Sequence, residues 1–215
     1  MRAGTADLLD LGAGVGTAGL VALALERAQR AVLVERHAET LALARENVVA
    51  NGFAERAEVL ALDILAPGSV RNAAGLGANH FETVIANPPF FEAGQGTRAP
   101  EASRADARHM AQDGLEAWVR CAAGCAAGGG EVIIVYPAQG LTSLLAALTP
   151  RFGAIALLPI SPRAGQPATR ILVRGTKGSR APLTLLAGRA LHGESGRGFA
   201  PEFDAIFRGE AALDW

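Results

Sequence analysis

The stretch that decides the fold is Ala6-Asp7-Leu8-Leu9-Asp10-Leu11-Gly12-Ala13-Gly14-Val15-Gly16-Thr17. Leu8, Leu9 and Leu11 read as the end of a parallel strand, because strands covered on both faces show near-continuous apolar runs. Three glycines at alternate positions then open a turn, and a helical run, Ala18 to Gln29, follows. Glycine takes positive φ at no steric cost, and it lets a ligand approach the main chain with no Cβ in between. The helix adds free N–H groups and a partial positive charge. Strand, glycine turn and helix together make a cradle for a small ligand.

Outward from this unit, strand and helix patterns alternate. Ala31–Glu35 reads as a short buried strand, and Ala38–Val49 as a helix closed by Asn51-Gly52. Ala57–Leu62 is a third strand ending at Asp63. After a glycine-rich connection, Phe81–Ala86 is a fourth, ending at Asn87-Pro88-Pro89-Phe90. Residues 91–105 read as loop, Asp106–Ala127 as helix, Gly128-Gly129-Gly130 as a turn, Glu131–Tyr136 as a fifth strand and Gln139–Leu148 as helix. Ile155–Ile160 and Thr169–Arg174 flank a proline- and glycine-bearing turn and form an antiparallel closing pair. The pattern predicts an α/β, Rossmann-like, doubly wound, mostly parallel seven-stranded sheet with an antiparallel closing strand pair. One domain then spans residues 1–215, and ligands bind over the carboxyl ends of the strands.

Composition narrows the functions available. Half the residues are hydrophobic and 5% aromatic, which suits helices packed on a sheet. The net charge of −1 gives no general attraction for nucleic acid or membrane, so such binding needs a local patch. Cys121 and Cys125 lie i,i+4 on an expected helix, with no second pair or nearby histidine to complete a metal set. They read as buried thiols of a reducing, cytoplasmic compartment, and no metal is expected. Asp10 interrupts the apolar run Leu8–Leu25 and no basic cluster precedes it, which excludes a signal peptide. No stretch is long and apolar enough to span a bilayer.

The ligand of the cradle follows from its carboxylates. Gly14-Val15-Gly16-Thr17-Ala18-Gly19 satisfies the dinucleotide pattern G-x-G-x-x-G, with Glu35 about twenty residues on. With 26 glycines in the chain, that match is weak. Asp10 argues against it, since a pyrophosphate at this strand end would meet a like charge, whereas an ammonium group would be favoured. S-adenosylmethionine carries an ammonium, a sulfonium and a ribose, and no phosphate. With its D-x-G-x-G-x-G form (Asp10, Gly12, Gly14, Gly16), the segment resembles the first motif of the class I S-adenosylmethionine-dependent methyltransferases. The resemblance implies that Glu35 accepts hydrogen bonds from the ribose hydroxyls and that Asp63 pairs with the adenine amino group. Thr17, Arg36, Ile64 and Asn87 complete the expected cofactor-binding set. Any one acid here could equally be a helix N-cap. Asp10, Glu35, Asp63 and Asn87, however, close four different strands and should gather along one edge.

Asn87-Pro88-Pro89-Phe90 carries the chemistry. Two prolines stiffen the backbone just past the strand. Methyl transfer to nitrogen is an in-line displacement that requires the acceptor to be held about 3 Å from the methyl carbon. A conjugated amine is a poor nucleophile, because its lone pair is delocalised. The Asn87 side-chain oxygen and the Pro88 carbonyl can accept its two hydrogens, turn the lone pair outward and stabilise the positive charge that develops. Phe90 supplies a face on which a planar acceptor stacks. The motif is similar to the N-P-P-[FYW] of methyltransferases acting on exocyclic amines and glutamine amides.

Between Glu131 and Glu194 there is no acid, while Arg151, Arg163, Arg170, Arg174, Lys177, Arg180, Arg189 and His192 fall inside the interval. Arg163, Arg170, Arg174, Lys177 and Arg180, on the closing hairpin and the loop after it, make a phosphate-binding edge for RNA, which Arg98, Arg104, Arg108 and His109 extend. Pro159–Val173 and Lys177-Gly178-Ser179-Arg180 resemble the C-terminal region of bacterial tRNA adenine-N6 methyltransferases. The resemblance implies a tRNA partner, with an adenine flipped into the pocket. Members of that group usually carry a further segment before the first strand, including an Arg-Ala-Gly-Thr turn, whereas here Arg2-Ala3-Gly4-Thr5 lies almost directly against the strand, as if the intervening piece were missing and the leader short. Rival readings are ribosomal guanine-N2 or protein-glutamine methylation, a non-catalytic RNA-binding or cofactor-sensing module, and a nicotinamide-dependent oxidoreductase. Oligomeric state is not set by any of these features.

Overall fold

The computed structural model describes residues 4–89 and 114–215. Strand β1 (Thr5–Leu11) leads through the glycine turn into helix α1 (Thr17–Ala24), and β2 (Ala28–Glu35) into α2 (Ala38–Ala50). β3 (Ala57–Ala61), the short α3 (Gly68–Ala73) and β4 (Phe81–Ala86) follow. Helix α4 occupies described residues 114–125 and feeds β5 (Ala126–Pro137). A 3-10 turn (Ala138–Gly140) leads to α5 (Leu141–Leu148), then come β6 (Phe152–Ser161), β7 (Arg170–Lys177), β8 (Thr184–Leu185), β9 (Arg189–Ala190) and α6 (Pro201–Phe207).

The strands form one sheet in the order β3-β2-β1-β4-β5-β7-β6-β8, with β9 also on β6. β1 to β5 are mutually parallel where they pair, and β7 runs antiparallel to both β5 and β6. This is the expected Rossmann-like, mostly parallel sheet with an antiparallel closing pair, extended by two short edge strands. The chain leaves β1 towards β2 and β3 and later returns to place β4 on its other side. A crevice therefore opens at the carboxyl ends of β1 and β4, where the order reverses.

The two-residue period of a strand sends Leu8 and Leu9 to opposite faces. Leu8 packs with Leu20, Leu23, Leu33 and Val48 beneath α1 and α2. Leu9 and Leu11 join Val84, Val132 and Ile134 in a larger core under α4 and α5. Helix α2 buries Leu41, Ala44 and Val48, an i, i+3, i+7 stripe. Glycine at position 19 sets how closely α1 lies on β2, because a Cβ there would overlap Leu33 Cδ2. Gly19→Ala is expected to lower stability by about 1–3 kcal/mol through overpacking, read as a fall in the denaturant midpoint at unchanged m-value.

Several local expectations are corrected. The helix expected to reach Gln29 ends at Ala24. Glu26 turns with φ 52°, and Ala28 is already paired with Thr5 in β2, so strand pairing overrides alanine's helix preference. Gly128-Gly129-Gly130 does not turn the chain, because β5 runs through it. There the pairing shifts register between Phe81 and Thr83, and a Cβ at Gly130 would stand only 3.0 and 3.1 Å from the carbonyls of Phe81 and Glu82, a tight fit that favours glycine. The glycine-rich connection after β3 contains α3, and the tail forms β8, β9 and α6 where no element was expected. Residues 91–105 and the first part of the Asp106–Ala127 helix lie outside the described residues.

Candidate active site

At the crevice the glycine turn is wound by positive φ at Gly12 (64°), Gly14 (58°) and Gly16 (87°). Its course is held by Ala13 N–H donating to the Val34 carbonyl and Gly16 N–H to the Ala13 carbonyl, both at 2.9 Å. Asp10 lies behind the turn, 4% exposed, and accepts from Gly19 N–H at 2.9 Å, which ties the strand to the helix. Burial pushes its carboxyl up from the usual 3.8 to about 6, and the Gly19 bond opposes the rise.

Glu35, 8% exposed at the end of β2, organises the next wall. Its Oε2 accepts from Gly14 N–H at 3.0 Å, and its Oε1 from Arg36 N–H at 2.8 Å and His37 N–H at 2.9 Å. A carboxylate offers about four acceptor directions, so capacity is left for a ligand hydroxyl. Asp63, after β3, accepts from Leu65 N–H at 2.9 Å and faces Arg36 Nη1 at 3.6 Å. Asn87 and Pro89 are exposed at the end of β4, while Pro88 is buried between them.

These groups enclose a cleft of about 370 Å³, within the usual range for small-molecule sites. Gly12, Glu35, Asp63, Asn87, Pro89 and Trp118 line it, together with the expected Arg36 and Ile64. Asp10, Gly14, Gly16 and Thr17 stand outside that lining; they shape the turn, and Thr17 begins α1 at the surface. Phe90 lies outside the described residues. Trp118, on α4, and His37 are lining residues that the sequence reading missed. A Cβ at Gly12 would overlap the Trp118 ring, so this glycine makes room for an indole as well as for a ligand. The apolar spacing of Leu115, Trp118, Val119 and Ala122 signalled a buried helix face, but nothing linear in the chain couples position 118 to position 12.

The expected basic edge is not continuous. β7 runs against β5, so Arg170 lies opposite Pro137 at the carboxyl edge, whereas Lys177 lies opposite Phe152 at the far edge. There the Lys177 ammonium donates to Asn79 Oδ1 at 2.6 Å and the Ala126 carbonyl at 2.7 Å, and Arg180 follows it in the chain. Arg174 lies mid-strand, its guanidinium 5.1 Å from the Trp215 ring centroid. Arg163 donates to the carbonyls of Gly193 and Gly196. Antiparallel strand direction splits a cluster that is compact in sequence, and only Arg163 and Arg170 share the edge of the cleft. Arg98, Arg104, Arg108 and His109 lie outside the described residues. Cys121 and Cys125 are free and buried, and the hydrogen bond to Cys121, with burial adding to it, holds the Cys125 thiol above its ordinary range. Among the described residues no group of three or more His, Cys, Asp or Glu side chains could hold a metal ion, and no helix is long and apolar enough to cross a membrane.

A site walled by Glu35 and Asp63, with Arg36 as its guanidinium and Asp10 buried behind the turn, disfavours a pyrophosphate and fits a cationic, hydroxyl-bearing, phosphate-free ligand. That is the chemistry of S-adenosylmethionine, and on this strand order it defines the class: an S-adenosylmethionine-dependent methyltransferase. The methyltransferase small domain family matches residues 2–152. Proteins named tRNA1(Val) (adenine(37)-N6)-methyltransferase are 31% identical in Escherichia coli O1:K1, over 80% of this chain and 75% of that one, and 30% identical in Shigella dysenteriae, over 81% and 75%. The one from Shewanella sp. (strain MR-4) is 30% identical over 66% of this chain, which spans only 57% of its length. The crystal structure of a predicted O-methyltransferase from Agrobacterium tumefaciens superposes with a TM-score of 0.79 at 34% identity over 99% of this chain and 92% of that one. The tRNA (m1A58) methyltransferase of Aquifex aeolicus shares the fold at 18% identity, over 81% and 63% of the two chains, with a TM-score of 0.54. The chain belongs to the methyltransferase small domain family.

Asp10 makes the site sensitive to pH. Its folded-state value lies above its unfolded one, so the protonated form favours folding. That contribution is full below about pH 4 and is lost as pH rises through about 6. Asp10→Asn is expected to raise stability above pH 6 by on the order of 3 kcal/mol relative to its effect at pH 4. Denaturant melts of both proteins from pH 4 to 8 would read this, and a constant difference would contradict it. A cationic ligand favours the ionised form, so donor affinity in the unmodified protein should rise through pH 6.

Proposed function

We propose that this methyltransferase modifies the exocyclic N6 amine of an adenine in tRNA, with the chain acting as one catalytic unit. The observation that carries the reading is Asn87-Pro88-Pro89 at the end of β4, with Asn87 and Pro89 on the cleft wall beside Gly12 and Trp118. When bound, S-adenosylmethionine supplies an electrophilic methyl group. Glu35 holds the ribose and Asp63 the adenine of the donor, while Asp10 faces its ammonium end through the glycine turn. The Asn87 side-chain oxygen and the Pro88 carbonyl accept the two hydrogens of the acceptor amine, and stiff proline backbone keeps both acceptors in place. Phe90 gives the base a face to stack on. Arg170, exposed at the same sheet edge, faces the phosphates, while Arg163 holds the adjoining loop through the Gly193 and Gly196 carbonyls. The names carried by the Escherichia coli and Shigella relatives support the tRNA acceptor.

The Agrobacterium structure, named for O-methylation, favours a second reading with a hydroxyl acceptor. An amine attacks through its lone pair, which breaks the methyl–sulfur bond and releases a neutral thioether, and the extra proton then passes from the alkylated nitrogen to water. A hydroxyl must lose its proton to a base before it attacks. The carboxylates of the cleft are instead engaged by backbone N–H groups and Arg36, which favours nitrogen. Incubating the protein with labelled donor and unfractionated tRNA, followed by nucleoside mass spectrometry, tests both readings. Label in N6-methyladenosine is expected. Label in guanosine, in ribose or only in protein would overturn the assignment.

A further inference from the structure

Beyond the last long strand, at the same edge as the cleft, lies an aromatic cluster that the methyl-transfer site does not use. β9 continues along the end of β6, where Ile160 pairs with Arg189 and Ser161 with Ala190. Leu191 and His192 extend that ladder with N–H bonds to Ser161 and Pro162 carbonyls at 2.9 and 3.0 Å. An antiparallel bridge then brings Phe199 to His192. Their rings stack with centroids 5.3 Å apart and planes 13° apart, and Phe207 meets Phe199 edge-on at 4.7 Å. Phe199 and Phe207 remain 44% and 60% exposed, although Phe203, on α6 with Phe207, is buried against Leu158 and Ile160.

The surroundings say what such a surface takes. Arg163 pins the loop between the two stacked rings through the Gly193 and Gly196 carbonyls. Arg197, in that loop, and Arg170, on the neighbouring strand end, are exposed. Glu202 and Asp204 are paired with Arg189 and Arg208, at 3.6 and 2.9 Å, which leaves Glu194 as the acid of the loop. Three strand spacings separate β4 from β6 and one more reaches β9, placing the strand that leads into the cluster about 19 Å from β4 along the edge. A stacked strand advances about 3.4 Å per nucleotide, so that span is about six nucleotides. Arg170 Nη1 donates to the Thr169 carbonyl at 3.0 Å, leaving its other N–H groups for a ligand, and exposed rings beside solvent-facing cations are the means by which proteins hold unpaired bases.

We propose that His192, Phe199 and Phe207, with Arg170 and Arg197, form a stacking platform for an unpaired base of the RNA whose adenine enters the cleft. The proposal rests on the RNA reading above. The test measures binding of unfractionated tRNA to the full chain across a salt series, and donor affinity in parallel. Phe199→Ala should weaken tRNA binding roughly 5- to 100-fold with the salt slope and donor affinity unchanged, and Phe199→Tyr should restore it. Arg197→Ala should instead flatten the salt slope by about one unit or less. Undiminished tRNA affinity in Phe199→Ala would overturn the platform alone. The same result with loss of self-association in sedimentation would assign the cluster to a second copy of this chain. Absence of tRNA binding by the unmodified protein would overturn both the platform and the RNA reading.

Discussion

Asn87→Ala is expected to cut turnover by about 100- to 1,000-fold while changing donor affinity less than about threefold. The side chain is exposed at the end of β4 and lines the cleft, so its loss removes no core contact. On the proposed function, what disappears is a fixed acceptor for an amine hydrogen. That interaction strengthens as positive charge develops on nitrogen, so the loss falls on turnover and not on binding. Single-turnover rates with saturating donor read the chemical step directly. Equal losses in rate and donor affinity would mean that Asn87 shapes the cleft without taking part in transfer.

Glu35→Gln is expected to have the other large effect, weakening donor binding by roughly 10- to 100-fold. The carboxylate accepts three backbone N–H bonds, from Gly14, Arg36 and His37, and thereby holds the glycine turn against the start of α2. Glutamine keeps one acceptor oxygen and presents an NH2 where the second stood, so one N–H loses its partner and the proposed ribose contact loses its charge. Each charge-assisted bond lost costs about 1.5–3 kcal/mol. Titration calorimetry with S-adenosylmethionine would read this effect, with the thermal midpoint as control. Unchanged affinity would remove Glu35 from the donor site.

Much of this site was legible in the chain because parallel α/β topology converts order into place. Each βα unit must return over the sheet, so Asp10, Glu35, Asp63 and Asn87, which close four strands, arrive at the same edge whatever the loops do. Residues whose partners come from distant elements were not legible. Trp118 reaches Gly12 only because α4 packs across the carboxyl end of β1, and no local pattern encodes that distance. The role of Asp10 was half visible: its position was clear, but its burial and its bond to Gly19 belong to the packed molecule.

The basic cluster shows the same division from the other side. Arg170 and Lys177 are seven residues apart and look like one patch, yet β7 carries them to opposite edges of the sheet. Local sequence rules settle the period, the turn chemistry and the type of each element, because these depend on neighbours along the backbone. Strand direction, the bulge through Gly128–Gly130 and the seating of β9 on the end of β6 depend on contacts between segments far apart in the chain. Those contacts form only when the sheet closes, and folding alone determines which exposed side chains end up beside the cleft.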